Sequence, residues 1–153
     1  MNKGAIISDC GQYRYQLWRI WNDKPRVLFI CLNPSTADAR QDDPTLRRLI
    51  GFSYQLGFGG LYLGNLFAYR STYPSDLIRP NNPVGLENDH HLLRMAAFCR
   101  ETVFAWGNDG ALLDRHQQVI SMFPDAMCLG ITKTGQPKHP LYLPKDSQLI
   151  KFT

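Results

Sequence analysis

The stretch "RVLFICLNPSTAD", residues 26–38, decides the fold. After Arg26 it runs through six apolar residues to Leu32 without alternating polar and apolar positions. A strand with one wet face alternates; a strand covered on both faces does not. Such strands belong to parallel sheets with helices on either side. The run stops at Asn33-Pro34, where proline can no longer donate to a ladder.

The same logic extends along the chain. "DDPTLRRLIGFSYQLGF", residues 42–58, reads as a helix: Asp43 suits the N-cap and Pro44 the first helical position. Leu46, Leu49, Ile50 and Tyr54 supply its apolar stripe, and Gly57 ends it. "GLYLGNLF", 60–67, is a second buried strand. A Pro- and Asn-rich loop follows, with one short helical turn after Ser75. A helix over 86–101, a strand "TVFAW" over 102–106, a helix over 110–123 and a strand "AMCLGI" over 126–131 complete the alternation. A last short strand is expected at "QLIKF", 148–152. Upstream, "YRYQLWRIW", 13–21, alternates, with Tyr13, Tyr15, Leu17 and Arg19 on one face. With "AIIS", 5–8, it forms an N-terminal β-hairpin within residues 1–24. The expectation is one α/β domain over 1–153: three α/β/α layers around a four-stranded, mainly parallel sheet, with the hairpin as an extension.

Bulk properties narrow the class. A chain of 153 residues with 44% apolar and 20% charged residues suits one soluble domain. No apolar run reaches the roughly 18 residues that span a bilayer, and the first 15 residues lack a signal-peptide pattern. Four widely spaced cysteines (10, 31, 99, 128) form no CxxC pair; they read as reduced thiols of a cytoplasmic protein, mostly filling the core. The net charge of +4 is concentrated at the C-terminal end, where residues 126–153 carry four lysines against one acid. A basic rim suits a phosphate-bearing partner, nucleic acid or nucleotide.

In open α/β sheets, ligands lie outside the carboxyl ends of the strands. Those ends carry Asn33, Pro34, Ser35 and Asp38; then Asn65 and Arg70; then Trp106 and Asn108; then Lys133, Lys138 and His139. Polar and aromatic residues gather there while the strand bodies are apolar, the contrast that marks a binding site. Asn65 sits inside an apolar run, where an amide needs a partner; backbone or a nucleobase edge could supply one. "GQPKHPLYLP", 135–144, sets His139 before the apolar Leu141, Tyr142 and Leu143 in a segment too rich in proline for a helix. No Ser-His-Asp order and no metal-ligand cluster emerges, and no cofactor is implied.

The motifs "LNPSTAD", "DDPTLRR", "NLFAYRST", "AWGNDG" and "GITKTGQPKHPLYLP" together resemble a bacterial family, domain-of-unknown-function family 1643. More distantly, the order N-P, Asn, W-G-N and a late H-P-x-x-L is similar to the uracil-DNA glycosylase superfamily. That resemblance implies a three-layer fold with a parallel four-stranded sheet. It implies that Asn33 positions water, Asn65 reads a base edge and His139 stabilises charge on a base oxygen. It puts Leu141 to Leu143 where that superfamily wedges into a duplex, with Lys133, Lys138 and Lys145 on phosphates. The chain departs from it in lacking the usual first-motif aspartate and the serine of H-P-S-P-L, and in carrying the acidic tract 38–43. Those acids repel phosphate; their alternative uses are to hold a metal, at Asp38, Asp42 or Asp43, or to read a sugar.

Overall fold

A computed structural model describes residues 1–152. The elements are β1 (Asn2–Ile7), β2 (Arg14–Ile20), β3 (Arg26–Cys31), α1 (Pro44–Gln55), β4 (Gly60–Asn65), α2 (Asn88–Ala97), β5 (Glu101–Phe104), α3 (Arg115–Met122), β6 (Met127–Cys128) and β7 (Ile150–Lys151). Short 3₁₀ turns cover Pro74–Ile78, Asn108–Asp114 and Pro140–Tyr142.

All seven strands join one mixed sheet, ordered β1-β2-β4-β3-β5-β6-β7. β4, β3, β5 and β6 run parallel, as the buried runs require. The hairpin is not an extension, as expected from the sequence, but part of this sheet: β2 pairs antiparallel with β4, Leu17 opposite Leu63. β7 closes the other edge antiparallel to β6. The fold is therefore α/β on a seven-stranded mixed sheet.

β3 explains both faces. Val27, Phe29 and Cys31 pack with Leu46, Leu49 and Phe52 of α1. Leu28 and Ile30 pack with Leu92 and Met95 of α2 and Val119 of α3. α1 begins where its sequence says: the Asp43 carboxylate accepts from Leu46 N at 2.8 Å and Pro44 takes the first position.

The helix expected over 86–101 spans only Asn88–Ala97 and the last strand only Ile150–Lys151, and two further elements break for reasons the structure shows. The helix over 110–123 is interrupted, because Leu113 and Asp114 both have φ of 55° and α3 starts only at Arg115. Gly110 is pressed on Trp106, where an added Cβ would lie 1.9 Å from the indole Cδ1, so the chain wraps the ring before turning helical. The strand over 126–131 ends at Cys128; Ile131 instead bridges to Pro137, and the segment between them folds back on itself. Among the described residues all four cysteines are unpaired; Cys31 and Cys128 are buried, whereas Cys10 is exposed. No helix of the described residues is long and apolar enough to cross a membrane.

Candidate functional site

A cavity of about 780 Å³ opens at the carboxyl ends of the parallel strands. Asn33, Ser35, Asn65, Trp106, Asn108, Lys133, Lys138, His139, Leu141 and Tyr142 line it. Pro34, Asp38 and Arg70 do not. Pro34 is buried, and its carbonyl accepts from Ser71 N at 2.9 Å. Arg70 donates to Gly11 O at 3.3 Å, holding the β1–β2 turn.

Asp38 works locally. Its Oδ1 accepts from Gln41 N at 2.8 Å and Arg40 N at 2.9 Å, and these two bonds hold its carboxyl below the usual carboxylate range. The rest of the acidic tract is engaged too. Asp42 pairs with Arg19 Nε at 3.0 Å. Asp43 Oδ2 accepts from Ala37 N at 3.3 Å while Oδ1 caps α1. The acids that looked misplaced beside a phosphate site thus fold their own loop.

The last loop is braced from several sides. Thr132 N donates to Gln136 O at 2.8 Å, Lys138 N donates to Gly130 O at 2.8 Å, and Gly135 takes the positive φ of 87° that the tip demands. Trp106 Nε1 donates to Gln136 Oε1 at 2.8 Å. Asn108 Oδ1 accepts from the hydroxyls of Thr132 and Thr134, each at 2.7 Å. Gly107 N donates to Pro137 O at 2.9 Å. Gly107 itself has φ 76° and ψ −172°, a region essentially reserved for glycine, and an added Cβ would lie 3.4 Å from His139 Cβ. The W-G-N sequence is therefore the bracket that carries the histidine loop.

His139 caps the turn at Pro140–Tyr142, its Nδ1 accepting from Leu141 N at 3.2 Å. A neutral imidazole that accepts at Nδ1 carries its proton at Nε2. Burial holds the ring pKa below the ordinary histidine value, so the ring is neutral near pH 7 and Nε2–H is its donor. Arg48 of α1 donates to the Pro140 and Leu143 carbonyls from behind. Of the expected wedge, Tyr142 is 82% exposed and Leu141 47%. Leu143, by contrast, is buried in the α1-side core, so only two residues of the three project at the mouth.

Asn33 and Asn65 differ in freedom. Asn33 Nδ2 donates to Ser71 O at 2.8 Å and Pro34 O at 3.2 Å, clamping the loops after β3 and β4. This leaves Oδ1 as its acceptor. Asn65 is buried at the floor, and its Oδ1 accepts from Arg14 Nη2 at 3.3 Å. Arginine only donates, so the amide must turn its oxygen to Arg14 and its Nδ2 away. Asn88 supports it by donating to the Asn65 carbonyl at 2.9 Å.

Arg14 is the lining residue that the sequence pattern concealed. Ile7 pairs with Arg14 and Ile6 with Gln16, so Tyr15 is an extra residue, a β-bulge. The bulge sends Tyr15 to stack on His91 of α2, with ring centroids 4.9 Å apart. It turns Arg14 to the cavity side, onto Asn65 and the Ala37 carbonyl (2.9 Å). Cys31, with its thiol pushed up to about 12 by burial, lines the same floor and is too poorly ionised to act as a nucleophile.

Fold and cavity together define an α/β domain with a cavity at the ends of its parallel strands, polar at the floor and basic and aromatic at the mouth. The chain belongs to the family described as "Protein of unknown function (DUF1643)", which matches residues 14–141. No curated protein and no solved structure matches it.

Proposed function

We propose that the protein recognises a nucleobase and hydrolyses its N-glycosidic bond, in DNA or in a nucleotide, on a three-layer architecture like that of the uracil-DNA glycosylases. The observation that carries this reading is His139: a neutral ring whose Nδ1 is engaged by backbone, leaving Nε2–H as a fixed donor in a cavity shared with Asn33 and Asn65. In the reaction, the bond between the sugar C1′ and the base nitrogen breaks and its electron pair leaves with the base. Negative charge gathers on the base oxygen, where Nε2–H donates without reorganising. Water adds to C1′ while donating to Asn33 Oδ1, and releases its proton to the base or to solvent. Asn65 Nδ2 donates to the base edge. Leu141 and Tyr142 at the mouth fill the gap left by an extruded base, and Lys133 and Lys138 take phosphates. Unpaired thiols, with Cys31 and Cys128 in the core, support a reducing compartment, the cytoplasm.

A non-catalytic nucleotide- or nucleic-acid-binding module is the second reading. It is favoured by Asn33, whose donors are spent on a loop clamp, and by Asp43, whose two oxygens are held by backbone N–H groups. A base-release screen separates the two. Oligonucleotides and nucleotides bearing uracil, mismatched thymine or modified pyrimidines are incubated with wild type and with an Asn33→Ala, His139→Ala double variant. Release by wild type alone is the expected result and names the base. Binding without release, lost in the variant, selects the module; neither release nor binding ends the nucleobase reading.

A further inference from the structure

Arg14 is 2% exposed, yet no carboxylate lies within ion-pair distance of it among the described residues. Two hydrogen bonds, to Ala37 O and Asn65 Oδ1, engage a side chain that carries five N–H donors. Its Nε is buried with no partner at all. A buried cation left in this state is costly, and such groups are normally paired. The chain goes further, spending a β-bulge to aim Arg14 at the cavity floor. Asp43 faces the same floor, but both its oxygens are held by backbone N–H groups and it sits on the positive end of α1. Ser35 and Thr45 bring hydroxyls to the cavity wall. Burial lowers Arg14 to about 10, so it remains charged at neutral pH.

We propose that the β2 side of the cavity floor is an oxyanion subsite, in which Arg14 receives a phosphate or carboxylate group of the ligand. The cavity, about 780 Å³, has room for it beside a base: Arg14 enters from β2 with its guanidinium on Asn65 and Ala37 O, and His139 enters from the loop after β6, against Gly107. Arg14 and His139 thus reach one cavity from different elements, β2 and the loop after β6. The ligand is a molecule with both an anionic group and a hydrogen-bond acceptor. The subsite does not depend on the nucleobase reading.

The test uses the full chain and simple anions. Thermal midpoints are measured in sodium phosphate, sodium acetate and sodium chloride at matched ionic strength, for wild type, Arg14→Met and Arg14→Lys. Wild type is expected to gain about 3–5 °C over chloride at ten times the dissociation constant of the better anion. Arg14→Lys keeps part of the gain and Arg14→Met none. A phosphate response assigns a phosphate group, an acetate response a carboxylate. In parallel, the Arg14 side-chain Nε–H resonance of wild type is followed by NMR during the phosphate and acetate titrations, and is expected to shift with the same anion. This second readout decides the matter where Arg14→Met does not fold. Equal midpoints in all three salts with a stationary Arg14 resonance overturn the subsite, as does an Arg14→Met response equal to wild type. An anion response without base release keeps the subsite and ends the glycosidic reading; base release with no effect at Arg14 does the reverse.

Discussion

Two arginines five residues apart on β2 are equally buried and opposite in circumstance. Arg19 is fully enclosed and makes four hydrogen bonds with its five N–H donors. Its Nε pairs with Asp42 at 3.0 Å, and its other nitrogens donate to Trp18 O at 2.9 Å, Asp38 O at 2.6 Å and Gln41 O at 3.2 Å. Arg14 reaches only a carbonyl and an amide and keeps donors to spare. The first is a bolt that fixes the acidic loop to the sheet. The second is a charge held in readiness. The difference teaches that burial alone does not tell a structural arginine from a ligand-binding one; what matters is whether its hydrogen-bonding capacity is already used inside the protein.

The largest expected effect breaks the bolt. Arg19→Met strands the Asp42 carboxylate and the Asp38 and Gln41 carbonyls in a partly buried loop. Because Asp42 is 25% exposed and can recover some hydration, the loss sits at the lower end of the range for a broken buried pair, about 3 kcal/mol. That corresponds to a drop of roughly 6–12 °C in midpoint for a domain of this size. Arg14→Met, measured beside it in chloride, is expected to change stability by no more than about 1 kcal/mol, since its bonds face a cavity and a desolvated charge is removed with them. Equal losses in the two variants would erase the distinction between bolt and reserve.

The intermediate effect concerns how the histidine loop is held. Gly107→Ala forces a side chain into a glycine-only backbone region and against the His139 Cβ. A loss of about 1–3 kcal/mol is expected by denaturant melts. A displaced His139 should also show as a changed imidazole NMR signal. A neutral substitution here would mean that the W-G-N bracket does not hold the histidine loop.

How much of this could be read from sequence depends on whether the cause is local. Buried β3 and β4 announce themselves by unbroken apolar runs, and α1 by Asp43-Pro44 with Leu46 and Leu49, although the expected Tyr54 is exposed and Phe52 is buried instead. The cluster of polar residues at strand ends was legible because parallel topology sends every one of those ends the same way. Arg14 was not legible. Strict alternation puts residues 14 and 19 on opposite faces; the bulge at Tyr15 reverses one of them, and a bulge has no period to detect. The one clue was two arginines in a strand otherwise rich in apolar residues. The acidic tract misled for a related reason. Its charges looked free because their partners, Arg19 and the backbone N–H groups of its own turns, become neighbours only on folding. The helix over 110–123 failed at Leu113 and Asp114, which take positive φ just after Gly110 packs on the Trp106 ring, a tertiary contact no local pattern announces.

The smallest expected effect carries the comparison into pH. Arg14 keeps its proton across the range in which proteins work, whereas His139 must lack one at Nδ1 to accept from Leu141 N. Burial lowers the His139 pKa in the folded state, so the folded protein favours the neutral ring. The stability this contributes is fully present above the unfolded value of about 6.5 and is lost as pH falls through the lower folded value. Protonation has a geometric consequence as well. A charged imidazole donates from both nitrogens, so Nδ1 can no longer accept from Leu141 N and the cap on the turn at Pro140–Tyr142 opens. Nitrogen NMR of the imidazole is therefore expected to show an unprotonated Nδ1 and a protonated Nε2 at neutral pH. The titration midpoint should lie below 6.5, and the Leu141 amide should lose exchange protection in step with it. The opposite tautomer at neutral pH would remove the Nε2–H donor on which the proposed charge-stabilising role rests. A midpoint at or above the ordinary value would mean that solvent or a carboxylate, not burial, governs the ring. In both cases the cavity would no longer combine a permanent cation at Arg14 with a neutral donor at His139.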